Sequence, residues 1–78
     1  DINKENEDNE TPLFNACESG NIDLVEYLVN KGADINKESK YSETPLFNAC
    51  KSGNIDLVKY LVNKGADINK KNSEYETP

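Results

Sequence analysis

The chain has 78 residues and a mass of 8.7 kDa, with 35% hydrophobic and 31% charged residues and a net charge of -6. That length allows at most one small domain with little buried apolar surface. The acidic balance, with lysine as the only cation, excludes the clustered positive charge that nucleic acid or an anionic membrane surface requires.

The charge is unevenly spread. Residues 1–43 hold eleven acids against four lysines (-7), and residues 44–78 hold four acids against five (+1). No apolar run approaches the length of a membrane span, and no basic-then-apolar leader is present.

The first ten residues, DINKENEDNE, are polar and carry no helical period. Thr11-Pro12 then opens a helix: Thr is a favourable N-cap, and Pro suits the first helical position. Leu13, Ala16 and Cys17 form a short apolar stripe, and Gly20 ends the element. Asn21 caps a second helix, with Asp23 in its first turn and Lys31 at its end, both complementary to the helix dipole.

Ile22, Leu24, Val25, Tyr27, Leu28 and Val29 cover most of that helix, so it is expected to be buried nearly all round. Gly32 stops it, and a polar stretch from Lys37 to Glu43 follows without period. The unit is helix, tight turn, helix, extended loop.

Residues 44–76 repeat residues 11–43 without a gap, and 26 of the 33 positions match. Gly53 and Gly65 take the stop positions, so all four glycines end helices. Residues 1–10 match the tail of the unit, and Thr77-Pro78 match its head. The expected organisation is one segment, 1–78: a preceding tail (1–10), two units (11–43 and 44–76) and a following head (77–78). It reads as an excerpt of a longer array.

A single unit cannot bury its apolar face alone, so units are expected to stack in one dimension. Two complete units fall short of the about three that stack stably. The chain alone is expected to melt broadly or to be largely unfolded.

These residues resemble an ankyrin repeat. The resemblance rests on the 33-residue period and on Thr-Pro-Leu at 11–13 and 44–46. It rests also on the step from Ala16 to Gly20 and on Gly-Ala-Asp-Ile-Asn at 32–36 and 65–69. It implies an all-α solenoid of stacked antiparallel helix pairs with projecting hairpin-like loops. It also implies a scaffold that binds a partner protein through loop tips and the concave first-helix face.

The family usually places His after Thr-Pro-Leu, where it helps bond the loop to the helix start. This chain has Phe14 and Phe47 and no His, so apolar packing is expected to replace that link. The family also favours Gly two residues before the Thr, for a positive φ. Here the positions hold Asn9, Ser42 and Tyr75; Asn tolerates that conformation and Tyr does so poorly.

Catalysis would fall to carboxylates such as Glu7, Asp8 and Glu10, which are expected in a solvated loop where nothing tunes them. The chain is therefore read as no enzyme, with no cofactor, metal or small-molecule substrate. Cys17 and Cys50 occupy equivalent stripe positions on helices about 8–10 Å apart. They read as small buried hydrophobes rather than a disulfide or a zinc pair.

Thr11-Pro12 and Thr44-Pro45 read as caps rather than kinase sites, and the sequon Asn9-Glu10-Thr11 as coincidence. Hydroxylation of Asn36 or Asn69 is implied by the resemblance alone. The reading places the chain inside the cell, in the cytoplasm or nucleus.

Five of the seven differences between the units fall together in the loop, at 38–42 against 71–75. The other two, Glu18/Lys51 and Glu26/Lys59, reverse charge on helices and would allow cross-unit pairing. Relaxed constraint explains the loop differences as well as a variable contact surface does; the resemblance favours the contact surface. The expected partner-binding residues are Glu7, Asp8 and Glu10 at one tip and Lys40, Tyr41 and Glu43 at the next. Ser73, Glu74 and Glu76 follow, with Glu18 and Lys51 on the first helices. Two other readings stand beside this one. One is a structural segment that associates end to end with itself; the other is a regulatory array fused to an enzyme or channel.

Overall fold

The computed structural model describes residues 1–72 and Thr77. It contains four helices: α1 (Pro12–Ser19), α2 (Ile22–Asn30), α3 (Pro45–Ser52) and α4 (Ile55–Asn63). No strand occurs among the described residues. Each helix recurs 33 residues on, as the internal repeat demands. The central contact is α1 on α3, and α2 and α4 each pack on the first helix of their own unit.

Short-range chemistry fixes the helix ends. Gly20 and Gly53 end α1 and α3 at φ 75°, where a side chain would be strained. The Asn21 and Asn54 side chains accept from the amides of Leu24 and Leu57, both at 3.1 Å. Asn9 (φ 62°) and Ser42 (φ 63°) adopt the left-handed conformation that the missing loop glycines would have supplied. Tyr75 lies outside the described residues.

The core is Leu13, Ala16, Cys17 and Val25 from the first unit and Leu46, Ala49, Leu57 and Leu61 from the second, with Ala33 and Ala66 below. Four expectations need correction.

First, the second helices are not buried all round. Val25 is the buried residue of α2, and Leu57 and Leu61 those of α4, while Leu24, Tyr27, Ile55 and Val62 are exposed. A face is covered only where a neighbouring unit lies against it. Leu57 is 0% exposed beneath the first unit, and its equivalent Leu24 is 43% exposed.

Second, Thr11 and Thr44 hold the N-cap positions without capping. Both hydroxyls are buried and neither has a hydrogen-bond partner. Phe14 and Phe47, in the place of the histidine, are buried and bring no donor or acceptor to the helix start.

Third, Cys17 is buried and Cys50 exposed, because α1 packs against α3 and no described first helix follows α3 in the stack. Burial pushes the Cys17 thiol up to about 12. Fourth, among the described residues neither Glu18 with Lys51 nor Glu26 with Lys59 forms an ion pair. Lys51 instead bonds Glu43 of the preceding loop at 3.3 Å.

Asparagines join the units. Asn36 donates to the Gly65 carbonyl at 3.1 Å and accepts from the Asp67 amide at 3.0 Å. Asn3 makes the same two bonds to Gly32 and Asp34, one unit earlier. In the opposite sense, Asn48 donates to Phe14 O at 3.2 Å and Asn54 to Gly20 O at 3.0 Å.

Candidate partner-binding surface

Two loop hairpins project beyond the helices. In the first, the amide of Asn6 donates to Glu10 O at 2.9 Å, and the amide of Asn9 donates back to Asn6 O at 3.0 Å. In the second, Ser39 donates to Glu43 O at 2.8 Å and Ser42 to Ser39 O at 2.9 Å. Side chains brace both turns. Asn6 Oδ1 accepts from the amides of Asp8 and Glu10, each at 2.9 Å, and Ser39 Oγ accepts from the Tyr41 amide at 3.2 Å. Glu7-Asp8 and Lys40-Tyr41 are thereby placed at the two tips.

The tips are tied together. The Lys40 amide donates to Asp8 O at 2.9 Å, and its ammonium pairs with the Asp8 carboxylate at 2.8 Å. The same ammonium lies 5.1 Å from the centre of the Tyr41 ring. The bond to Asp8, then the contact with Tyr41, raises the Lys40 pKa above its ordinary value. Nearer the helices, Lys37 pairs with Glu5 at 3.1 Å and Lys70 with Glu38 at 3.3 Å, one pair repeated by the 33-residue step. A hydrogen bond from Asn9, then the one from Lys37, holds the Glu5 carboxyl below its ordinary value.

Between the second hairpin and the first helices lies a cleft of about 410 Å³, lined by Glu10, Glu18, Tyr41, Glu43, Asn48, Lys51 and Ser52. Residues from two loops and two helices meet there. Tyr41 stays 53% exposed. Glu43 is held on both oxygens, by Lys51 at 3.3 Å and by Asn72 Nδ2 at 3.0 Å. Glu18 has no hydrogen-bond or ion-pair partner among the described residues.

Of the residues expected from sequence, Glu10, Glu18, Tyr41, Glu43 and Lys51 line this one cleft. Lys40 sits beside it on the Tyr41 ring. Glu7 and Asp8 stand at the neighbouring tip, outside the lining. Ser73, Glu74 and Glu76 lie outside the described residues. Asn48 and Ser52 line the cleft and were missed. Both are the same residue in the two units (Asn15 and Asn48, Ser19 and Ser52), so the differences between the units point to neither. Ser52 donates to Ala49 O at 2.6 Å.

The site has no arrangement suited to a metal. Among the described residues, no group of three or more Cys, Asp or Glu side chains is placed to hold an ion. No helix among them is long and apolar enough to cross a membrane.

A family model described as ankyrin repeats, three copies, matches residues 1–72. The chain belongs to the ankyrin-repeat family. Ankyrin repeats are in general protein–protein interaction modules, and the family is typically non-enzymatic. No curated protein matches the chain. The cleft lies where the hairpins meet the first helices of two adjacent units, and it holds the exposed aromatic Tyr41.

Proposed function

We propose that the chain is a recognition module that takes a segment of a partner protein into the cleft between the Tyr41 hairpin and helices α1 and α3. The supporting observation is convergence. Glu10, Glu18, Tyr41, Glu43 and Lys51 are spread over 42 residues of sequence and share one concave surface. Tyr41 is the anchor. An exposed aromatic gives large contact area at small entropic cost, and its backbone is already held by Ser39.

A random peptide library displayed on phage and selected on the immobilised chain tests this. Selected peptides are expected to lose about tenfold or more in affinity on Tyr41→Ala, the effect of about 1.4 kcal/mol, with helix content unchanged. Binders indifferent to Tyr41→Ala and to Glu18→Gln would overturn the assignment of the cleft.

A further inference from the structure

The chemistry of the cleft is one-sided. Its lining carries three carboxylates, Glu10, Glu18 and Glu43, and the face of an aromatic ring, against a single ammonium, Lys51. Ser52 has committed its hydroxyl proton to Ala49 O and offers only lone pairs. Asn48 is the least accessible polar side chain of the lining, at 8% exposed. Its amide nitrogen is used by Phe14 O. Its carbonyl oxygen has no hydrogen-bond partner among the described residues, and it is not among the fully enclosed unpaired atoms. A side chain more than nine-tenths buried therefore brings one more acceptor to a cleft already rich in acceptors.

The chain itself shows what such a surface attracts. Two of its own lysines lie on it: Lys51 on Glu43, and Lys40 over the Tyr41 ring. Glu18 has no cation of its own among the described residues. A guest that satisfies Glu18, the Asn48 carbonyl and the ring together must bring several donors, positive charge and a flat or compact cationic head. Arginine has five N–H donors in a planar fork and stacks on aromatic faces; lysine offers three on a point charge.

We infer that the cleft holds an arginine side chain of the partner segment, its guanidinium set among Glu18, the Asn48 carbonyl and Tyr41. This rests on the cleft being the binding surface proposed above. Lys51, held on Glu43, sets a second positive charge in the same cleft and limits affinity for the guest.

The test is a titration of the chain with four blocked hexapeptides. They are identical except for Arg, Lys, citrulline or Glu at the third position, and binding is followed by amide shifts in ¹⁵N spectra. Citrulline keeps the shape of arginine and removes its charge. The Arg peptide is expected to bind most tightly, Lys several-fold more weakly, and citrulline and Glu at least about tenfold more weakly. Glu18→Gln is expected to remove most of the preference for Arg over citrulline. Lys51→Gln is expected to raise affinity for the Arg peptide, an effect that a merely structural role for Lys51 would not produce.

Citrulline binding as well as Arg would overturn the inference, as would no shift with the Arg peptide up to about 10 mM. Library binders that need Tyr41 yet carry no basic residue would also overturn it while leaving the cleft assignment standing. Binders that ignore Tyr41 and Glu18 would remove both.

Discussion

The side chain of Asn54 bonds in two directions: its amide donates to the Gly20 carbonyl at 3.0 Å, and its oxygen caps α4 through Leu57. Asn21 sits in the same local sequence and makes only the cap. Identical residues thus hold different amounts of structure, according to whether a unit precedes them.

This difference is measurable. A lost N-cap costs about 1 kcal/mol, and a cross-unit hydrogen bond contributes about 0.5–1.5 kcal/mol more. Asn54→Ala is expected to destabilise the chain by about 2 kcal/mol and Asn21→Ala by about 1. Asn54→Asp, which keeps the cap and removes the donor, should lose only the cross-unit bond, about 0.5–1.5 kcal/mol. Urea unfolding followed by circular dichroism checks the order; equal losses for the two alanine variants would contradict it.

The orphaned hydroxyls give a prediction of opposite sign. A Thr N-cap normally stabilises a helix, but Thr44 Oγ1 is buried and bonded to nothing. Thr44→Val keeps the shape and removes an unsatisfied polar atom. It is expected to leave stability unchanged or raise it by up to about 1 kcal/mol, where a working cap would lose about that much. Ser42→Gly relieves a side chain held at positive φ and is expected to stabilise by up to about 1 kcal/mol. Thermal melts of both variants beside the parent check this pair.

Stability is expected to form a plateau between the acid and alkaline ranges. The Glu5 carboxyl lies below its ordinary value of 4.5 in the folded chain. Its contribution is therefore present above that value and lost as pH falls through the folded one. The Lys40 ammonium lies above its ordinary 10.5, so its contribution holds below that value and is lost as pH rises through the folded one. Cys17 moves from 9.0 to about 12. The unfolded thiol ionises first, so stability falls from about pH 9 upward. Cys17→Ala should flatten the alkaline limb and leave the acid limb unchanged in shape.

The two thiols should also separate kinetically. With a thiol reagent at pH 8, Cys50 is expected to react promptly and Cys17 only as the α1–α3 contact opens. The slow phase should accelerate in Asn54→Ala. A single fast phase would contradict the burial of Cys17.

Much of this architecture was legible in the sequence. Period, glycine stops and Asn caps are local signals, and they placed all four helices. The left-handed residues Asn9 and Ser42 were legible as substitutes for a glycine. The bonds of Asn36, Asn48 and Asn54 were not, because their partners lie 29–34 residues away and become neighbours only in the stack. Burial differed between equivalent residues for the same reason: Ile55 is 68% exposed, while Ile22 packs against the core. In the cleft, loop-tip residues could be named from the differences between the units. The buried Asn48 could not, because it does not differ.

Those open end faces carry a stability prediction. Adding one further copy of residues 44–76 after Glu76 should cover Ile55 and Val62, as α3 and α4 cover their equivalents. The 78-residue chain is expected to melt broadly and the extended one sharply, at a higher temperature, because each added unit brings an interface term. Coincident melts of the two chains would show that the units do not couple.

The cleft is the centre of this account, and a footprint on it is the most direct test. Amide shifts would be followed while a library-selected peptide is titrated into the chain. The largest changes are expected on Glu18, Tyr41, Glu43, Asn48 and Lys51. Changes centred instead on Leu24, Tyr27, Ile55 and Val62 of the outer helices, with the cleft silent, would contradict it.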